Sequence, residues 1–142
     1  MAIRAIILRH WRSFALLALA LGGTTQAAET HAVALSGHVR GATHKHAVFV
    51  ALWRADGFLQ KPAETVKIAA GVEPVFRFSV APGRWAISAY EDVNGNEILD
   101  MGMFGPKEPS GFWQPFHKWR KPQFDDVATD IKAAVAGIEI AL

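Results

Sequence analysis

The 142-residue chain contains no cysteine, so no disulfide stabilises its fold. It also lacks a glycine-rich phosphate-binding motif and a Gly-x-Ser-x-Gly nucleophile elbow. No assembled triad or metal-hydrolase signature replaces them. These absences favour a non-catalytic protein over an enzyme, and a hydrolase is the weaker alternative.

No apolar run is long enough to span a bilayer comfortably. Three arginines lie within the first twelve residues, the short apolar run Phe14–Leu21 follows them, and small and polar residues lead to Ala27. This order predicts a secretory signal peptide over residues 1–27 and a mature domain over residues 28–142. We therefore expect a periplasmic or secreted protein without a transmembrane segment after cleavage; the alternative is an uncleaved membrane anchor.

The excess of positive charge belongs to the predicted signal peptide. The whole chain has 15 basic and 13 acidic residues, and the signal contains three arginines and no acid. Removing it leaves 12 basic against 13 acidic residues, a net charge of −1. A nucleic-acid partner is therefore not expected.

Apolar and polar residues alternate through most of the mature chain, which is typical of half-buried strands. Ala47–Trp53 is instead apolar on both faces, which predicts a central strand. The pair Pro82-Gly83 favours a tight turn between two strands. The pattern predicts an all-β fold, a single antiparallel β-sandwich of about seven strands, with strands near residues 31–40, 47–53, 66–68, 76–80, 85–90, 127–133 and 138–142.

Residues 92–128 interrupt this alternation with repeated proline and glycine, which leave no room for a long helix. The stretch is rich in aromatic residues, which argues against disorder. We expect a long ordered loop that packs on the sandwich through its aromatic side chains, namely Phe104, Phe112, Trp113, Phe116, Trp119 and Phe124.

Oxygen-bearing side chains recur at alternate positions directly after the fifth strand. Calcium takes six to eight oxygen ligands from carboxylates, amides and backbone carbonyls. Ile98 offers only its backbone carbonyl, and its side chain is expected to pack into the core. The spacing predicts a calcium-binding loop with the ligands Asp92, Asn94, Asn96, Ile98 and Asp100.

The loop differs from an EF-hand, because Glu97 takes the place of the expected glycine and Met103 that of the expected bidentate glutamate. Glu91 or Glu108 could complete the ligand shell. A second interpretation stays open: asparagine and aspartate hydrogen-bond to their own backbone, and Asn-Gly favours turns, so the loop could close without a metal.

Aromatic and basic residues mix between residues 112 and 121. They could form a surface for a sugar, a peptide or a lipid headgroup, or they could simply anchor the loop. The candidate surface consists of Phe112, Trp113, Phe116 and Trp119. If the chain is a glycan-binding module, Trp113 and Trp119 should be exposed and coplanar.

Several blocks of the sequence resemble the bacterial domain of unknown function 2141 family. The resemblance rests on residues 81–96, which end in Glu91-Asp-Val-Asn-Gly-Asn96, on Leu99-Asp100, and on Phe104-Gly-Pro-Lys-Glu-Pro-Ser-Gly-Phe112. It extends to Ala51-Leu-Trp53 and to the final strand. It implies a small exported β-sandwich, similar to prealbumin-like and carboxypeptidase-regulatory-like modules, with no assigned activity.

Within this resemblance, the acidic loop falls on Asp92, Asn94, Asn96 and Asp100, and the Pro-Lys-Glu-Pro segment on residues 106–109. Glu97 departs from the family pattern, which often has glycine there. The aromatic stretch 113–119 departs from it as well. Together with the loop chemistry, this predicts a non-catalytic binding or structural module whose partner is an envelope protein, a peptide or a glycan.

Overall fold

Strands form where apolar and polar side chains alternate along the chain. The computed structural model describes residues 31–117 and 120–142, and within them it contains ten strands, one single-turn helix and a 3₁₀ turn at Ala55–Gly57. The elements are β1 (Val33–Arg40), β2 (Ala47–Trp53), β3 (Glu64–Ile68), β4 (Val75–Val80), β5 (Gly83–Asp92), β6 (Met101–Gly102), β7 (Gly105–Pro106), β8 (Ser110–Phe112), α1 (Phe124–Val127), β9 (Thr129–Ile131) and β10 (Val135–Ala141).

The main strands form two sheets. One has the order β10-β1-β4, and the other has the order β3-β2-β5-β8, with β9 paired to the start of β5. All pairings are antiparallel except that of β1 with β10, which is parallel. The predicted all-β, sandwich-like fold is confirmed, with that one parallel pair as an addition.

Both sheets contribute to one apolar core. In β4, Phe76, Phe78 and Val80 are buried and alternate with exposed residues, because successive side chains of a strand point to opposite faces. β2 lies between β3 and β5 and is buried on both faces, as its continuous apolar sequence predicts. The core consists mainly of Leu35, Val39, Val48, Val50, Leu52, Ile68, Phe76, Phe78, Val80, Trp85, Ile87, Ala89, Ile131, Ile138 and Ile140.

The long segment after β5 is ordered by short strands rather than by packing alone. β6 and β7 form a small hairpin, and β8 then returns to pair with β5, so that Ser110 lies opposite Tyr90 and Phe112 opposite Ser88. Asp92, where the long segment begins, is the last residue of β5, and β8, where the segment ends, pairs with residues 88–90 in the same strand. This arrangement fixes both ends of the segment 92–112 to one strand.

The predicted signal peptide lies outside the described residues. Among the residues that the structure describes, no helix has the length and apolar character needed to cross a membrane.

Candidate functional site

Asp92 forms the base of the acidic loop. It is the last residue of β5 and is buried. Its Oδ1 accepts hydrogen bonds from the backbone N–H groups of Gly95 (3.0 Å) and Asn96 (3.1 Å), and its Oδ2 accepts one from Glu97 (3.0 Å). One carboxylate therefore holds three consecutive N–H groups of the loop.

The three remaining polar side chains of the predicted ligand set meet at a single atom. Asn94 and Asn96 both donate through Nδ2 to Oδ2 of Asp100, at 2.5 and 3.1 Å. Their amide oxygens accept the backbone N–H groups of Asn96 (3.1 Å) and Ile98 (3.0 Å). The structure thus brings Asn94, Asn96 and Asp100 together, with Asp92 beneath the same turn.

The loop backbone makes a left-handed turn at two positions. Gly95 has φ 74°, and Glu97, which replaces the expected glycine, has φ 64°. This region is disfavoured for residues with a side chain. The Glu97 carboxylate forms an ion pair with Lys67 on β3, so that side chain is directed to the neighbouring sheet edge. The loop therefore closes in spite of the substitution for glycine.

The prediction that the Ile98 side chain packs into the core is wrong. The residue is 64% exposed. It lies beyond the end of β5, where neither sheet extends far enough to cover it. Its backbone carbonyl stays within the predicted ligand set.

Of the two further carboxylates suggested by the sequence, Glu108 is the one that contacts the loop. It is buried, and it accepts the N–H groups of Val93 (2.8 Å) and Asp100 (3.3 Å). Because those residues lie at the start and the end of the loop, Glu108 ties the two together.

Glu91 is engaged elsewhere. Neighbouring residues of a strand point to opposite faces, so Glu91 and Asp92 diverge. Glu91 is fully buried, and its carboxylate accepts the N–H (3.0 Å) and the hydroxyl of Thr43. It holds the turn between β1 and β2. No sequence pattern pointed to Thr43, because the contact spans 48 residues.

In residues 31–117 and 120–142, no three histidine, aspartate or glutamate side chains form a group that could hold a metal ion. The predicted ligand set does not depend on such a group, since two of its five oxygens come from amides and one from a backbone carbonyl. Oxygen ligands of this mixed kind suit a hard cation such as calcium.

The negative charge at this end of β5 acts on Tyr90. Burial first, and then the nearby carboxylates of Asp92, Glu108 and Glu97, raise the pKa of Tyr90 to about 12. Its ring also stacks on Phe49, with 5.2 Å between the ring centroids. Tyr90 therefore reports the electrostatic potential beside the loop.

We expect Tyr90 to titrate near pH 12 in the folded protein and near pH 10 in denaturant. Because the folded pKa is raised, the unfolded chain loses the phenol proton first, so stability falls as the pH rises from about 10 to 12. The chain has a single tyrosine, so tyrosinate absorbance measures it directly. A folded-state midpoint near 10 would contradict the raised pKa.

Aromatic residues of the long segment after β5 (residues 92–128, called the excursion from here on) cover the outer face of the β3-β2-β5-β8 sheet. Phe112 and Phe116 meet edge to face (5.3 Å between ring centroids), and Phe58, which precedes β3, contacts Phe112 (6.0 Å) and Phe124 (5.7 Å). All four rings are half-buried. The sequence-based interpretation missed Phe58, which lies in the connection between β2 and β3.

Trp113 packs partly buried against the main core, so it does not present the open ring that a glycan platform requires. Trp119 lies outside the described residues, and that half of the glycan hypothesis stays a prediction. The expectation that Phe104 anchors the excursion is wrong, because it is 99% exposed. It lies in the turn between β6 and β7, away from both sheets.

Asp125 and Asp126, in α1, form ion pairs away from the acidic loop. Arg84, near the start of β5, holds Asp125 (2.6 Å), whereas Asp92 ends the same strand. At about 3.3 Å per residue, those two strand positions lie roughly 26 Å apart. Arg120 holds Asp126 (2.7 Å) and, with the backbone N–H of Gln123, lowers the pKa of that carboxyl. These charges fix the segment around α1.

The fold and the loop define a class: an all-β, sandwich-like domain with an acidic Asp/Asn loop at the end of a central strand. The chain belongs to the DUF2141 family, described as "uncharacterized protein conserved in bacteria", whose model matches residues 38–139. The match runs from β1 to β10 and includes the whole loop. No curated protein and no solved structure gives a significant match.

Proposed function

We propose that the chain is an exported, non-catalytic module of the cell envelope whose loop 92–100 binds calcium. The observation that carries this proposal is the convergence of Asn94 and Asn96 on the Asp100 carboxylate, above the buried Asp92. Three side chains of the predicted ligand set therefore already lie within hydrogen-bonding distance of one another.

Electrostatics support the same proposal. Asp92, Asp100 and Glu108 lie within one loop network, and the only ion pair found there among the described residues joins Glu97 to Lys67. A divalent cation would offset the remaining negative charge. It would be held by the oxygens of Asp92, Asn94, Asn96 and Asp100 and the carbonyl of Ile98.

Calcium binding requires the asparagine side chains of the loop to turn. Amide nitrogens, not oxygens, face Asp100 in the structure, so calcium has to replace them as the partner of that carboxylate. The terminal torsion of asparagine has a second orientation available. Turning each amide gives up the hydrogen bond that its oxygen accepts from the backbone N–H of Asn96 or Ile98, and calcium has to offset that loss. The competing state is the loop closed by its own hydrogen bonds.

The bound ion would order the segment that follows. The Asp100 carbonyl accepts the N–H of Lys107 (2.8 Å), and Glu108 joins Val93 to Asp100. Fixing Asp100 therefore fixes the base of the β6-β7 hairpin and the approach to β8. The partner presented to this end of the domain would be an envelope protein, a peptide or a glycan, and export would follow from residues 1–27.

A thermal melt of residues 28–142 in excess calcium and in chelator tests the proposal. At a hundredfold excess over its dissociation constant, calcium should add about 2.7 kcal/mol, or roughly 4–8 °C in melting temperature. Magnesium serves as the ion control, because it needs a stricter geometry. Calcium should also lower the Tyr90 midpoint, since it adds positive charge beside the phenol.

Asp100→Asn should remove most of the calcium shift while changing the melt in chelator little, because asparagine keeps one oxygen. Asp130→Asn is the matched control. The Asp130 side chain is exposed and pairs with Lys132, and Asp130 lies opposite Arg84, at the other end of β5 from the acidic loop. Equal melting of the parent in calcium and in chelator would show that the loop is closed by its own hydrogen bonds alone.

A further inference from the structure

The β6-β7 hairpin carries an exposed apolar tip. Met103 and Phe104, the two turn residues, are 90% and 99% exposed. Met101, at the start of β6, and Ile98, in the loop before it, are 63% and 64% exposed. No charged residue lies between Met101 and Pro106. Large apolar side chains this exposed mark an interaction surface when they are contiguous.

The choice of residues in the turn supports a role outside the fold. The positive φ of this hairpin lies at Gly105 (φ 126°), and neither Met103 nor Phe104 has one. The turn geometry therefore does not call for large apolar residues at these two positions, and the fold does not bury them. A Cβ on the following Gly105 would meet nothing within 4 Å, so no described part of the chain packs against this side of the tip.

A basic side chain lies directly behind the tip. Lys107 runs along Gly102, with its Cγ 3.3 Å and its Cε 3.6 Å from the position a Cβ would take there. Lys107 forms none of the ion pairs found among residues 31–117 and 120–142. This arrangement suits a bilayer, because the apolar tip would reach the acyl chains while the ammonium group at its base stays at the level of the headgroup phosphates.

The shape and size of the tip favour a bilayer over a protein partner. Four exposed side chains, two of them in the turn, cannot supply the roughly 800 Å² per partner of a standard protein interface. The tip is also convex, so a protein would need a matching pocket. A lipid layer accepts a convex apolar group without a shaped cavity.

We propose that the β6-β7 tip is a membrane-docking element that inserts Met103 and Phe104 into the interface of a phospholipid bilayer, with Lys107 at the headgroup phosphates. This inference goes beyond the calcium proposal, because insertion itself needs no bound ion. The acidic loop beneath the tip only affects which headgroups are tolerated.

Flotation with phosphatidylcholine vesicles in chelator tests the docking. The protein used is residues 28–142, which contain every described strand and the whole core, with folding checked by circular dichroism. The tip variant Met103→Ser/Phe104→Ser should partition at least about tenfold more weakly than the parent, because it removes two large apolar side chains. Val72→Ser is the matched control, since Val72 is also exposed but lies between β3 and β4.

Parent flotation that the tip variant loses and Val72→Ser keeps supports membrane docking. Equal flotation of the parent and the tip variant, or no flotation of the parent, overturns it. Self-association of the parent that the tip variant abolishes, without flotation, would assign the tip to a second copy instead. The calcium melt of the tip variant separates the two proposals, because loss of docking with an unchanged calcium shift concerns the tip alone.

Discussion

Replacing Asp92 with alanine is expected to lower the free energy of unfolding by about 3 kcal/mol, with or without calcium. The carboxylate accepts three backbone N–H groups, from Gly95, Asn96 and Glu97, and alanine leaves all three without that acceptor. Hydrogen bonds to a charged group contribute about 1.5–3 kcal/mol each, and water at the exposed loop recovers part of the loss.

Urea unfolding of the parent and of Asp92→Ala, each in chelator, measures this effect. Asp92→Asn should be intermediate, because one side-chain oxygen remains. Asp130→Ala is the control for loss of a carboxylate on the surface. An Asp92→Ala midpoint equal to that of the parent in chelator would mean that the loop does not need this carboxylate to close.

Replacing Gly111 with alanine is expected to cost about 3 kcal/mol or more. A Cβ at this position would lie 2.0 Å from the backbone oxygen of Ala141 and 3.2 Å from its carbonyl carbon. The obstacle is backbone and cannot move aside as a flexible side chain can. The clash would push β8 away from β10, at the point where the two sheets come together.

Chemical unfolding measures the loss, and Gly57→Ala provides the control, because a Cβ there meets only Lys61 at an ordinary 3.9 Å. We also expect Gly111→Ala to expose the aromatic layer around Phe112 to solvent, which raises the binding of a hydrophobic dye. Equal stability of Gly111→Ala and Gly57→Ala would contradict the close approach of β8 and β10.

The strands of the sandwich could be predicted because their signal is local. Phe76, Phe78 and Val80 alternate with polar residues, and both the period and the buried face follow from strand geometry. The continuous apolar run of β2 likewise predicted a central position. The parallel pairing of β1 with β10 could not be predicted, because the two strands lie almost a hundred residues apart and no local pattern specifies which edge a closing strand joins.

The acidic loop, likewise, could be predicted only in part. Its spacing predicted that Asp92, Asn94, Asn96 and Asp100 belong together, since a turn of this length brings alternate residues to one side. Which atoms face one another depends on hydrogen bonds across the loop, and there Asp92 serves the backbone while Glu108 joins both ends. Ile98 and Phe104 were misplaced because an apolar side chain predicts burial only where a surface exists to cover it.

The sequence by itself determined the family, the all-β class, the core-facing residues of the main strands and the position of the acidic loop, because each depends on neighbours a few residues apart. Only the tertiary structure decided that Glu91 turns away to Thr43, that Phe58 completes the aromatic layer, and that Met103 and Phe104 project into solvent. Those outcomes depend on contacts between distant segments, and their geometry is set once the two sheets have packed.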